Sequence, residues 1–268
     1  MQTKHWGLML PREHGAWAML IVPLIVGVGV GGKWSTSLLP LALTVLCFFL
    51  LRYPLMLAIK SRAPDTRQDA LRWSAIYAAL TTIGGTWLLL ATPLLPLIAI
   101  GALGLASLAI YLSLAARHAE MSTAGEWVGI AGLALGAPIA YLVATNALNA
   151  TAIALYLLNV LFFGGTVLYI KFKVREQPRL VEPTMHWLEK LWAGRVTILY
   201  HAVTLLVVAL LAAIGFMPAL AAIAFALPLC KVVGGAITRP ARLNIPRLGF
   251  IELGTTIAFA AVVLLAYR

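Results

Sequence analysis

Pro11-Arg12-Glu13-His14-Gly15-Ala16-Trp17 opens directly into an apolar run that continues from Met19 to Gly32. Base, acid and imidazole occupy three consecutive positions, so a helix begun at Pro11 spreads them over about 200° of its surface. They cannot all face lipid. Charged side chains at a bilayer edge either snorkel to the headgroups or turn inward to one another and to a polar cavity. A plain helix start explains each residue singly: proline early in the helix, Glu13 on the positive end of the dipole, Trp17 as an interfacial anchor. Arg12, Glu13 and His14 together, followed by a glycine that lets another backbone approach, also fit a functional polar cluster.

Working outward, the rest of the chain is of the same character. Hydrophobic residues make up 62% of it and charged ones 11%, far from the proportions of an ordinary soluble domain. The composition predicts an all-α polytopic membrane protein, and spans of about 20 residues each nearly consume the 268 positions as one membrane domain, 1–268. The charged N-terminus and the absence of a small-residue cleavage site argue against a removed signal peptide. Cys47 and Cys230 lie in apolar runs, where thiols pack rather than pair or ligate.

Nine apolar segments are expected, at about 14–32, 37–60, 73–91, 94–115, 127–145, 150–170, 195–215, 217–237 and 249–267. Pro93 and Pro96, and Phe216-Met217-Pro218, mark tight turns. Gly129, Gly132, Gly136, Ala137 and Pro138 give the fifth segment a small-residue face and a proline kink.

Charge is distributed unevenly. Of the 20 lysines and arginines, 17 fall on the side of the N-terminus and the even-numbered connections, and all nine acids lie in or beside that layer. The positive-inside rule then puts the N-terminus in the cytoplasm and the C-terminus outside, in the inner (cytoplasmic) membrane. Most of the net charge of +11 is accounted for by anionic lipid headgroups, and nucleic acid is not implied.

Arg52 is different, because it stands inside the second apolar segment with Tyr53 and Pro54 beside it. An intramembrane arginine is by default a candidate for function, and Pro54 frees a backbone carbonyl at the same depth. Lys60 falls on the same stripe two turns on, so Arg52 and Lys60 are expected to line a cavity. At the end of the sixth segment Lys171 and Arg175 share a face and repel unless an anion sits between them. Lys173 projects elsewhere and reads as a snorkelling surface lysine. Glu126 opens the fifth segment.

Pro-Arg-Glu-His-Gly-Ala-Trp at the mouth of a small polytopic chain resembles the signature of the YwiC-like membrane protein family. The wider layout, with heavy second and sixth connections and Gly-Leu-Ala-Leu-Gly-Ala-Pro-Ile-Ala-Tyr at 132–141, resembles the UbiA-type intramembrane prenyltransferases. That resemblance implies a helical bundle around a central cavity open to the cytoplasmic side, where a polyprenyl diphosphate binds. It also implies two Asp-rich Mg²⁺ motifs at the ends of the second and sixth helices. This chain has Arg52 to Lys60 and Tyr169 to Glu176 there, cations in place of carboxylates. Asp65 and Asp69 have a DxxxD spacing but fall beyond the helix end, and Asp69 also reads as an N-cap of the third helix. A hard divalent ion has no obvious ligand set, so Mg²⁺ is not expected and the cofactor is left open.

The expectation is therefore an anionic isoprenoid or other phosphorylated lipid held by Arg12, Arg52, Tyr53, Lys60, Glu126, Lys171 and Arg175. His14, which titrates near neutrality, and Glu13, which orients it, would transfer protons in a metal-independent transferase. The alternative is a small-molecule transporter or a non-catalytic accessory protein; no internal repeat supports the former. Oligomeric state is not legible.

Overall fold

The structure is a computed structural model and describes residues 9–11, 14–182, 184–238 and 243–268, the side chain of His14 excepted. Among the described residues the chain is helical and contains no strand: α1 (His14–Gly31), α2 (Leu38–Lys60), α3 (Pro64–Ala91), α4 (Leu94–Ala116), α5 (Thr123–Ala134), α6 (Gly136–Thr145), α7 (Ala150–Lys171), α8 (Gln177–Leu180), α9 (Trp187–Ala193), α10 (Arg195–Ala213), α11 (Ile223–Ile237) and α12 (Ile245–Ala266). Eight helical stretches are long and apolar enough to cross a membrane, α5 with α6 and α7 with α8 each counting as one. This fits a multi-pass membrane protein. The first expected segment is also an apolar helix, but shorter, over Gly15–Gly31.

Local chemistry sets the ends. Ser122 Oγ accepts from Gly125 N at 3.2 Å to start α5, Asn149 Oδ1 from Ala152 N at 3.3 Å to start α7, and Asn244 Oδ1 from Arg247 N at 2.9 Å to start α12. Asn146, in the left-handed region at φ 57°, ends α6. Between α5 and α6 the helical hydrogen bonding is interrupted at Leu135, because Pro138 has no N–H for the carbonyl of Ala134. Leu135 keeps helical dihedrals, φ −59° and ψ −17°, so α5 and α6 form one stretch with the expected kink.

Several boundaries move from their expected places, α12 among them, which starts at Ile245 and not near 249. The third helix starts at Pro64, not near 73, since proline at the first helical position and Asp65 in the first turn both favour initiation. Asp69 is consequently inside α3, 3.6 Å from Arg72 one turn on, and not its cap. The fifth span begins at Thr123, four residues before expected, because Ser122 caps it.

Neighbouring helices approach closely at glycines. A Cβ on Gly84 of α3 would meet the carbonyl oxygen of Pro40 and the hydroxyl of Thr44 on α2, and one on Gly27 of α1 would meet Ala137 on α6. The densest core lies between α7, α11 and α12, where Phe162 stacks on Phe259 with ring centroids 4.0 Å apart and Phe225 packs edge-on at 5.9 Å. Open space lies instead among the earlier helices.

Candidate functional site

A cavity of about 450 Å³ is enclosed by α2, α3, α4, α5 and the start of α6, with Leu20 of α1 at one edge. Every lining residue lies between Leu20 and Ile139. The wall is built from Val45, Phe48 and Phe49 of α2 and from glycines at 85, 101, 104, 129 and 132; a Cβ at 85 or 101 would meet nothing within 4 Å. The lining residues Thr82, Gly101 and Leu105 are also exposed, so the cavity reaches the outer surface between α3 and α4. Its hydroxyls are engaged: Thr44 donates to Pro40 O at 2.7 Å and Ser107 to Val128 O at 3.0 Å.

Arg52 is the charged residue of this wall. Its guanidinium carbon lies 4.7 Å from the centroid of the Tyr111 ring and 5.8 Å from that of Phe49. These aromatic faces compensate a cation that would otherwise be costly at this depth. Gly129 on α5 stands opposite, where a Cβ would lie 3.9 Å from Arg52 Nη1, in ordinary contact. Trp17 of α1 packs edge-on against Phe49 at 5.2 Å, and Tyr77 of α3 donates to Met9 O at 3.4 Å. Met9 ahead of α1 and Trp17 within it are thus held against α3 and α2.

Beyond Arg52, at the end of the bundle where α2, α4 and α7 finish and α5 begins, stand two ion pairs. Lys60 donates to Glu120 in the connection before α5, and Lys171 pairs with Glu126 in the first turn of α5. Each lysine was expected to await an anion, and each has a carboxylate of this chain instead. The hydrogen bond from Lys60 holds the Glu120 carboxyl below its usual range. Among the described residues Glu120 Oε2 is buried without a hydrogen-bond partner.

The expected cluster is thus divided. Arg52 lines the cavity, while Lys60 and Tyr53, half-buried on the same helix, do not. Lys171 and Arg175 do share a recess, with Glu176, Arg179 and Leu180, but it lies on the surface past the end of α7. Arg12 and Glu13 lie outside the described residues, as does the side chain of His14. Lys173 corrects its expected role. It is buried, and donates to Gln177 Oε1 at 2.6 Å and to the carbonyls of Gly235 at 3.0 Å and Thr238 at 2.9 Å. A π-helical turn at Phe172–Glu176 rotates it inward, where it satisfies the open carbonyl end of α11.

One charged group was not anticipated. Lys231 of α11 donates to both oxygens of Glu252 of α12, at 2.7 and 2.8 Å, and lies 4.7 Å from the ring centroid of Tyr169 on α7. Both members are nearly enclosed. The signal was in the sequence: opposite charges inside the eighth and ninth apolar segments satisfy each other more cheaply than either satisfies itself.

Comparison with known proteins points one way. The YwiC-like protein family matches residues 10–141. The chain is 29% identical over 171 residues to the Bacillus subtilis (strain 168) protein named "Uncharacterized protein YwiC", an alignment covering 63% of this chain and 68% of that one. No solved structure matches.

Proposed function

From the premise that the chain is YwiC-like across residues 10–141, the stretch that contains every residue of the cavity wall, we propose that this cavity binds an amphiphilic anionic lipid. An isoprenoid or other apolar tail occupies the space between α2, α3, α4 and α5, and a phosphorylated head lies toward Arg52. The observation that carries this reading is the single guanidinium set at one end of an apolar cavity that reaches the lipid-facing surface. A cation there is held by aromatic faces, and a phosphate offers it charge-assisted hydrogen bonds. Lys171, Arg175 and the paired Lys60 lie farther out and act on the approach of the head. The head faces the cytoplasm in this reading, with the C-terminus on the opposite side.

Chemistry at the head falls to the segment entering α1. His14 is the group that titrates near neutrality, with Glu13 to orient it and Arg12 to share the anion. The contacts of Trp17 with Phe49 and of Tyr77 with Met9, made by described residues on either side of these three, support that assignment. The scheme takes from the UbiA-type resemblance an apolar cavity below a polar mouth, without its Asp-rich motifs. A transport role is the second reading. It is favoured by the Lys231–Glu252 pair, since ionisable residues inside spans are what transporters use.

The deciding experiment is mass spectrometry of lipids that co-purify with the native chain, with Arg52→Ala and with Gly101→Trp. Gly101 lines the cavity and a Cβ there meets nothing within 4 Å, so a tryptophan at this position is the variant chosen to occupy the space. A polyprenyl phosphate or similar lipid retained by the native chain and lost from both variants is expected. Bulk phospholipid in equal amounts in all three overturns the proposal.

A further inference from the structure

We propose that α9 is a membrane-surface helix, lying in the headgroup layer at the charged end of the bundle with one face in the acyl boundary. It is independent of what the cavity holds. The sequence Trp187-Leu188-Glu189-Lys190-Leu191-Trp192-Ala193 places Trp187, Leu191, Leu188 and Trp192 within about 140° of one helix face at 3.6 residues per turn. Glu189 and Lys190 take the opposite side. None of these seven residues is buried, and Trp187, Leu188 and Trp192 are 49%, 54% and 69% exposed.

Three large apolar side chains on so short an element would be costly to leave in water. Two of them are tryptophans, which favour the membrane–water interface over either water or hydrocarbon. The occupant of this face is set by where the chain places it. The helix is strung between two candidate spans, Ala150–Leu180 and Arg195–Ala213, and a single residue, Gly194, separates it from the second. That junction is tight, since a Cβ on Gly194 would lie 3.1 Å from Ala236 of α11 and 3.2 Å from the Phe172 ring. The helix therefore sits at the height where α7 and α11 end and α10 begins, which is the level of lipid headgroups.

Both of its ends are closed by local hydrogen bonds. His186 N donates to Glu189 Oε2 at 3.0 Å, and Leu188 N to His186 Nδ1 at 3.4 Å, closing the first turn locally. At the other end Arg195 donates to Trp192 O at 3.0 Å and lies 4.7 Å from the centroid of the Trp192 ring. Arg195 with Lys190 gives the helix a cationic border, and Arg175 and Arg179 precede it in the same connection. Apolar face inward and cations at the rim is the pattern of a helix that docks on anionic lipid.

The test uses the full chain with Cys47→Ser and Cys230→Ser, in nanodiscs of phosphatidylcholine and phosphatidylglycerol. A nitroxide is attached in turn to Trp187→Cys, Leu188→Cys, Trp192→Cys and Lys190→Cys, and its collisions with oxygen and with a water-soluble nickel chelate are measured. Substitutions here spare the core, because no residue of α9 is buried. The expected result is an oxygen-to-nickel ratio several-fold higher at positions 187, 188 and 192 than at 190. Equal ratios at all four would place the helix in water and overturn the proposal. Shielding of 187, 188 and 192 from both reagents would place the face against protein and overturn it equally.

Discussion

Arg52 and Tyr111 are joined by a cation–π contact, the guanidinium carbon 4.7 Å from the ring centroid. The contact bridges α2 and α4 at the end of the cavity and fixes the direction in which the charge faces. Replacing Tyr111 with leucine keeps the apolar volume and removes the quadrupole. At about 0.5 to 2 kcal/mol for such a contact, retention of a polyprenyl phosphate should fall from about 2-fold to about 30-fold. Titration of the lipid against purified native and Tyr111→Leu chains measures it, and identical affinities would remove Tyr111 from the site.

The Lys231–Glu252 pair predicts an asymmetry in stability. Lys231→Met leaves a carboxylate enclosed between α11, α12 and α7, and should cost about 3 to 5 kcal/mol. Adding Glu252→Gln removes the stranded charge and should restore most of the loss. Thermal unfolding in detergent, run as a double-mutant cycle, reads this directly; additive losses would show that the two side chains do not act as a pair.

Acid should weaken the other end of the bundle. The Glu120 carboxyl titrates below its usual 4.5 because Lys60 donates to its charged form. A group whose pKa is lower folded than unfolded contributes stability that is present above the unfolded value and is lost as pH falls through the folded one. The stability difference between the native chain and Glu120→Gln should therefore be constant near neutrality and shrink as pH falls below 4.5. A difference that does not change along the acid limb would separate the bridge from stability.

Gly84 and Gly85 are neighbours with opposite expectations. A Cβ at 84 is driven into Pro40 and Thr44, whereas at 85 it meets nothing within 4 Å. Gly84→Ala should destabilise the α2–α3 pair by about 1 to 3 kcal/mol through overpacking. Gly85→Ala should be neutral or stabilising by up to about 1 kcal/mol through helix propensity. Unfolding measurements on the two variants check the predicted ordering.

Much of the helical framework was legible because lipid-spanning helices are dictated by long apolar runs, whereas the caps Ser122 and Asn244, which start α5 and α12 ahead of those runs, were not read. The start of α3 was misplaced because its first turns, Pro64 to Arg72, are polar and carry no apolar signal. For the candidate site, the sequence marked Arg52 as unusual and gathered the charges at one end. It could not pair them, since Lys60 with Glu120 and Lys171 with Glu126 lie 60 and 45 positions apart. Nor could it foresee Lys173 turning inward, which depends on a π-helical turn and on the nearby end of α11.

Composition and periodicity by themselves determined an all-helical, multi-pass chain with its charges at one end, because burying apolar side chains and satisfying backbone polar groups in lipid leaves a chain of this kind no other arrangement. Which cation meets which anion, and where the cavity lies, were decided by the tertiary structure. Glycines at 85, 101, 104, 129 and 132 enclose space only when α2, α3, α4 and α5 are brought together, and a lysine reads the same in sequence whether it faces a phosphate, a carboxylate or a helix end.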